Sequence, residues 1–194
     1  MKITIEKEKA NKIECSVDGI TIPFANAVRR YSMTHIPVLA MDHLTFYDNT
    51  SWIFDEYIAH RLGMIPILTP EKLPEGVEII FTIDETGPKV VCSKDLKSND
   101  KDISVAREQI PILTLNENQR LRLEAKARLD YGTKHAKFQA GLVTYEILGK
   151  DKFRFKLESF FQMEPAELIV RGCIALEKDL SELIKEVKKA EKKK

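Results

Sequence analysis

Residues 24–67 read FANAVRRYSMTHIPVLAMDHLTFYDNTSWIFDEYIAHRLGMIPI, and this stretch decides the fold of the chain. It predicts two short helices with an extended apolar segment between them. Pro23 opens the first helix, because its missing N–H costs nothing in a first turn, and Pro37 ends it. Asp55 is the predicted cap of the second helix. The residue spacings match no catalytic device, so the pattern favours an interface or a scaffold.

Alternation of apolar and polar residues predicts strands on both sides of this stretch, in addition to its extended segment. The predicted strands lie at 2–7, 12–17, 38–46, 111–115, 120–129, 142–148 and 153–161. The run at 120–129 also admits a helical reading, but its apolar residues recur at every second position, which favours a strand. Between 70 and 99, prolines and glycines separate further short strands.

The last predicted helix begins at Pro165 and carries a heptad seam. The residues of this α3 seam step by four and three along about three repeats, and they are Ile169, Cys173, Leu176, Leu180, Leu183 and Val187. The chain contains no second helix of comparable predicted length. Burial of the seam along its whole length therefore requires a surface from another chain.

The composition indicates one moderate domain, or a domain with a smaller one inserted in it. The chain has 194 residues, of which 43% are hydrophobic and 31% are charged. It contains no apolar run of the ~20 residues that a membrane span needs. Its first residues lack the apolar core of a signal peptide, so a cytoplasmic location without membrane contact is expected.

The net charge of +1 conceals an uneven distribution. Residues 185–194 hold six lysines and two glutamates, so they contribute +4 and the rest of the chain contributes −3. A slightly acidic body is a poor surface for nucleic-acid phosphates, which disfavours the alternative of a nucleic-acid-binding module. The lysine-rich end is more typical of a solvated helix terminus.

The residue types that can bind metals are scattered along the chain. The three cysteines, Cys15, Cys92 and Cys173, form no CxxC pair, and the four histidines form no HExxH motif. Structural zinc and iron–sulfur sites need several soft ligands brought close together. No GxSxG, GxGxxG or GxxxxGK motif is present. The sequence therefore predicts no catalytic residue and no metal ligand, and a small metal-dependent enzyme is the weaker alternative.

Arg29, Arg30 and Arg61 are the candidate binding residues, because each lies on a predicted short helix whose other face is apolar. The predicted inward face of the first helix holds Phe24, Val28 and Tyr31. Arginine is enriched at protein interfaces because its flat guanidinium forms paired hydrogen bonds and is weakly hydrated. On residue type alone, an interface role and plain exposure to solvent are equally open.

Four stretches of the sequence resemble one known family. FANAVRR at 24–30 is similar to the F-x-N-A-L-R-R helix of the alpha-like assembly subunits of DNA-directed RNA polymerase. NTS at 49–51 and DEYIAHRLGMIPI at 55–67 resemble that family's N-T-S and D-E-x-L-A-H-R-L-G-L-I-P-L. YGTKHAKFQ at 131–139 resembles its G-x-G-K-E-H-A-K-W-Q loop. The motifs keep the family's order over nearly the whole chain, and the archaeal branch of the family is the most similar form.

The resemblance implies an α+β fold in two parts. A dimerisation domain, with an antiparallel sheet and long helices, is expected from residues 1–42 and 131–194. A second, mainly β domain is expected from the inserted residues 43–130. The bacterial alpha N-terminal region and the eukaryotic third-largest subunit are the counterparts in the other domains of life.

The resemblance also implies a non-catalytic assembly role within a nucleotidyltransferase complex that carries out transcription. The expected partners are a smaller alpha-like subunit, L in archaea, together with the zinc-carrying subunit N, subunit P and the second-largest catalytic subunit, with little or no DNA contact. The α3 seam is expected in the heterodimer interface, and the three arginines are expected at the large subunit. Many family members hold an iron–sulfur insert between their last two strands, but residues 148–152 form only a short turn here, so no cofactor is expected.

Overall fold

The computed structural model describes residues 1–70 and 78–192. Its helices and strands follow one another as β1 (Lys2–Lys9), β2 (Lys12–Asp18), α1 (Ile22–Thr34), β3 (Pro37–Asn49), α2 (Asp55–Gly63), β4 (Ile79–Thr86), β5 (Lys89–Cys92), β6 (Lys97–Ser98), β7 (Pro111–Leu115), β8 (Arg120–Tyr131), β9 (Gly141–Gly149), β10 (Lys152–Ser159) and α3 (Pro165–Glu191). The α+β class and the hairpin predictions at both ends are confirmed.

By its internal contacts the chain divides into two compact units. The terminal unit comprises Met1–Ile36, Tyr131–Thr133 and Gln139–Lys194, and the inserted unit comprises Pro37–Asp130 and Lys134–Phe138. This division begins earlier than residue 43 because β3 pairs with β8 of the inserted unit. The domain boundaries given by the family resemblance stay a prediction.

The terminal unit contains a four-stranded antiparallel sheet in the order β1-β2-β10-β9. Helices α1 and α3 pack against each other and over the side of the sheet that holds β9 and β10. The two helices approach closely at Gly172, where an added Cβ would lie 2.3 Å from the hydroxyl oxygen of Ser32. Strand β1 is exposed at all eight of its residues, so the helices cover only part of the sheet.

The inserted unit contains a second four-stranded sheet in the order β3-β8-β4-β6, together with the β5-β7 pair. Strand β8 buries Leu121, Leu123 and Ala125, which alternate with more exposed residues. The strand prediction for 120–129 is therefore confirmed, and the helical reading is wrong. Helix α2 adds Ile58 and Leu62 to the same core, as its spacing predicts.

Two predictions about single residues are wrong. Phe54, not Asp55, is the N-cap residue of α2, and it makes no side-chain capping bond. Asp55 lies in the first turn and accepts a hydrogen bond of 2.6 Å from Nδ2 of Asn49. Phe24 is 43% exposed and not turned inward, because it borders the part of the sheet near β1 that the helices do not cover.

The short strands predicted between 70 and 99 are confirmed at β4 and β5. The part of this prediction that concerns 71–77 lies outside the described residues. Among the described residues, no helix combines the length and the apolar character that crossing a membrane demands.

Candidate functional site

The terminal sheet has an apolar groove on the same face that α1 and α3 pack against. It lies next to β1, where the two helices do not reach across the sheet. The groove has a volume of about 200 Å³. Ile3 and Ile5 of β1 form one side, and Phe24, Ile169 and Cys173 of the two helices form the other. No charged residue lines it among the residues that the structure describes. We call this feature the sheet groove.

The sheet groove exists because α1 and α3 cover only part of the apolar face of the terminal sheet. Apolar residues of β1 point to the groove, whereas Glu6 lies on the opposite face. There, Nε of Arg154 donates to Oε2 of Glu6 at 2.8 Å, and its Nη1 donates to Glu146 at 3.3 Å. An antiparallel sheet commonly keeps one face wet and packs the other on a core. The described residues of this chain cover the apolar face only in part.

The α3 seam continues from the sheet groove into solvent. Ile169 and Cys173 line the groove. Farther along the helix, Leu180, Leu183 and Val187 are 51%, 60% and 50% exposed. The structure thus joins the first part of the predicted seam to the groove and leaves its last three residues open. Contiguous apolar surface of this kind marks protein interaction sites.

A polar contact holds α3 where it leaves the sheet. The hydroxyl of Tyr31 on α1 donates to Oδ2 of Asp179 at 2.9 Å. The ring of His35 stacks on that of Tyr31, with centroids 4.1 Å apart. Because the contact lies between Leu176 and Leu180 in the helix, it holds α3 against α1 just before the seam becomes exposed.

The thiols of Cys15 and Cys173, which line the sheet groove, are unreactive at neutral pH. Burial is the main cause that raises the pKa of Cys15 and the only cause that raises the pKa of Cys173. A thiol with a raised pKa is protonated at neutral pH and is neither a nucleophile nor a ready metal ligand. Among the described residues, no three His, Cys, Asp or Glu side chains are grouped so that they could hold a metal.

The predicted arginine sites lie in different units and differ in their contacts. Arg29 is half-buried, and its Nε and Nη2 donate to Oδ1 of Asn26 at 3.1 and 2.9 Å. Arg30 is exposed, and its side chain makes no hydrogen bond or ion pair with the described residues. Arg61 belongs to the inserted unit, where its Nη2 donates to the carbonyl oxygen of Pro111 at 2.5 Å.

The sequence interpretation missed the sheet groove. Its signal is the alternation of Ile3 and Ile5 with polar neighbours along β1, which identifies an apolar face. Alternation does not tell whether a helix of the same chain covers that face. That information depends on where α1 and α3 cross the sheet, which is a property of the folded chain.

Comparisons with known proteins show the family of the chain. Residues 44–148 match the family model described as "RNA polymerase Rpb3/RpoA insert domain". The chain is 37% identical over 170 residues to DNA-directed RNA polymerase subunit Rpo3 of Methanocaldococcus jannaschii, covering 86% of this chain and 87% of that protein. It is 40% identical over 157 residues to the Rpo3 subunit of Thermococcus kodakarensis, covering 77% of this chain. The chain spans 61% of that relative's length and 59% of the Rpo3 subunit of Pyrococcus furiosus.

Proposed function

Because this chain belongs to the family of RNA polymerase subunits that carry the Rpb3/RpoA insert domain, we propose that it is a non-catalytic assembly subunit of a DNA-directed RNA polymerase. In this role it pairs with a smaller alpha-like subunit, L in archaea. The pair then nucleates assembly of the large catalytic subunits and binds subunits N and P. The chain contributes surfaces to transcription and no reacting group.

The observation that carries the proposal is the continuous apolar surface formed by the sheet groove and the α3 seam. A surface of this shape fits a second alpha-like chain, which presents apolar helices of its own. Fully burying a leucine or valine side chain contributes ~1.5–3 kcal/mol. Because Leu180, Leu183 and Val187 are only 50–60% exposed, covering them would supply about half of that each, or roughly 2–5 kcal/mol together, before the cost of association is subtracted.

Groove and seam have complementary roles in this pairing. The apolar stripe of α3 runs from Leu180 and Leu183 to Ile169 and Cys173 at the groove, so a partner helix that packs along it also reaches the groove. There it covers the apolar face of β1. The partner therefore buries apolar residues of the terminal sheet as well as the exposed part of the α3 seam.

Leu180→Asp tests this pairing. We expect the variant to lose co-purification with the co-expressed smaller alpha-like subunit, because an unpaired carboxylate in an apolar interface costs several kcal/mol. Leu180 is exposed in the chain alone, so the isolated variant should keep the thermal stability of the unmodified chain. Glu182→Gln, two positions away on the same helix, is the control and should pair normally. Normal pairing of Leu180→Asp would contradict the proposal.

A further inference from the structure

A second cavity lies within the inserted unit, between α2 and residues 110–112. It has a volume of about 330 Å³, which is room for roughly ten water molecules. Tyr57 and Arg61 of α2 and Met64, which directly follows the helix, line one side, and the isoleucines that flank Pro111 line the other. We call this cavity the Arg61 pocket. It belongs to neither the sheet groove nor the α3 seam.

The Arg61 pocket carries positive charge without a counter-charge. The guanidinium of Arg61 lines it, and no Asp or Glu among the described residues does. The two acidic residues of α2, Asp55 and Glu56, lie in the first turn of the helix and are not part of the lining. Arg61 forms no ion pair with any residue that the structure describes.

The hydrogen bonds of the Arg61 guanidinium are only partly satisfied. Its Nη2 donates to the carbonyl oxygen of Pro111, which fixes the plane of the group. Its Nε is buried and has no acceptor among the described residues. The ring of Tyr57 lies 5.9 Å from the guanidinium carbon, within range of a cation–π contact. Removing a cation from water without a paired anion is costly, so this arrangement favours an incoming anion.

The walls of the pocket identify the kind of anion. Ile65 and the two isoleucines on the opposite side are apolar, and the exposed Met64 extends the apolar surface to the rim. Nucleic-acid phosphates bind to broad basic surfaces, which one arginine among apolar walls does not provide. Arginine and tyrosine are instead enriched at the energetic centres of protein–protein interfaces, which become desolvated when the partner binds.

We propose that the Arg61 pocket receives an aspartate or glutamate side chain, flanked by apolar residues, from a large subunit of the polymerase. This assignment rests on the proposed assembly function, which supplies the partner. The carboxylate pairs with the Arg61 guanidinium, and the flanking residues cover Met64 and Tyr57. Arg61 is thus a charge-reading residue at a subunit interface.

The test changes the sign of the charge at the pocket rim. The full chain is co-expressed with the smaller alpha-like subunit, and binding of this pair to the large polymerase subunits from the same source is measured. Met64 is 51% exposed, so both Met64→Glu and Met64→Lys should leave the melting temperature of the chain unchanged. We expect Met64→Glu to weaken binding at least tenfold more than Met64→Lys does, because only the glutamate repels the incoming carboxylate. Equal losses for both would show a steric effect and overturn the proposal.

Two further measurements complete the test. Arg61→Met, which keeps the length of the side chain but not its charge, should weaken binding roughly 30-fold or more. A photo-crosslinking residue at position 64 should label a partner peptide that contains Asp or Glu near the crosslink. Labelling of a segment without a carboxylate, or of nucleic acid, would overturn the proposal.

The outcomes separate this proposal from the function on which it rests. If the unmodified chain binds no polymerase subunit, both the assembly function and the pocket assignment fail. If the unmodified chain binds and the Arg61→Met and Met64→Glu variants bind equally well, the assembly function stands and only the pocket assignment fails.

Discussion

At the scale of single residues, Asp42 is the centre of a charged cluster within the inserted unit. Nζ of Lys137 donates to Oδ1 of Asp42 at 2.5 Å and to the carbonyl oxygen of Met41 at 3.2 Å. Nη2 of Arg128 lies 3.3 Å from the other carboxylate oxygen. The hydrogen bond from Lys137, more than any other cause, lowers the pKa of Asp42. The sequence motif at 131–139 contains this lysine but gives no sign of its partner.

Asp42→Asn should lower the free energy of unfolding by about 1–2 kcal/mol at pH 7, because Lys137 loses its anion. A carboxylate with a lowered pKa in the folded state contributes stability above its unfolded pKa of ~3.9, and this contribution is lost as the pH falls through the folded value. The difference between variant and unmodified chain should therefore be largest near neutral pH and shrink in acid. Thermal denaturation between pH 3 and pH 7 measures it.

Asp84→Asn is the control for this prediction. Asp84 pairs with Arg120 at 2.8 Å, but both side chains are well exposed. Exposed pairs contribute ~0–1 kcal/mol, so this variant should change stability little. A loss for Asp42→Asn that does not depend on pH would contradict the role given to the Asp42 carboxylate.

Arg29 and Arg30 carry the second prediction at this scale. Replacing both with alanine should leave pairing with the smaller alpha-like subunit intact and weaken recruitment of the large subunit by ~2–5 kcal/mol. The contact of Arg29 with Asn26 is local to α1, so its loss should cost little thermal stability. Lys156→Ala, on an exposed position of β10, is the control. Reconstitution from purified subunits measures the effect, and normal assembly of the double variant would refute it.

At the scale of elements, the crossing of α1 and α3 at Gly172 shapes the sheet groove. An added Cβ would lie 2.3 Å from the hydroxyl oxygen of Ser32 and 2.7 Å from its Cα. Gly172→Ala should therefore push the helices apart and cost roughly 1–3 kcal/mol, which lowers the melting temperature by about 3–10 °C. Partner affinity should fall as well, because the groove lies between the same helices and the sheet.

Gly149→Ala is the matched control, since nothing lies within 4 Å of the Cβ that it would add. It should melt at the temperature of the unmodified chain. If Gly172→Ala behaves in the same way, the helices have room at their crossing and the groove does not depend on it.

The same elements show how far the sequence leads. Local signals placed α3, the β9–β10 hairpin and β8 correctly, because proline positions and the alternation of side chains act over a few residues. The Arg61 pocket was not foreseen, since its walls at Arg61 and Pro111 lie fifty positions apart in the chain. The partial cover of the terminal sheet was missed for the same reason. Contacts between distant segments leave no period in the sequence.

At the scale of the whole molecule, the isolated chain presents the sheet groove and the α3 seam together. A fluorescent dye that binds apolar surface should therefore bind the isolated chain, and its signal should fall when the smaller alpha-like subunit is added in equal amount. With Leu180→Asp the signal should persist after that addition. A signal that the partner does not reduce would place the interface elsewhere.

The terminal sheet also sets an order on biosynthesis. Asn11 and Ser159, which lie 148 positions apart, are joined by a hydrogen bond, and β2 pairs with β10 along its length. On the ribosome, the inserted unit can therefore complete its core before β10, the strand that pairs with β2, has been synthesised. A chain interrupted before Lys152 lacks β10 and α3, and with them every wall of the partner surface except α1 and the first hairpin. If the proposed pairing holds, it therefore selects chains that have been translated through α3.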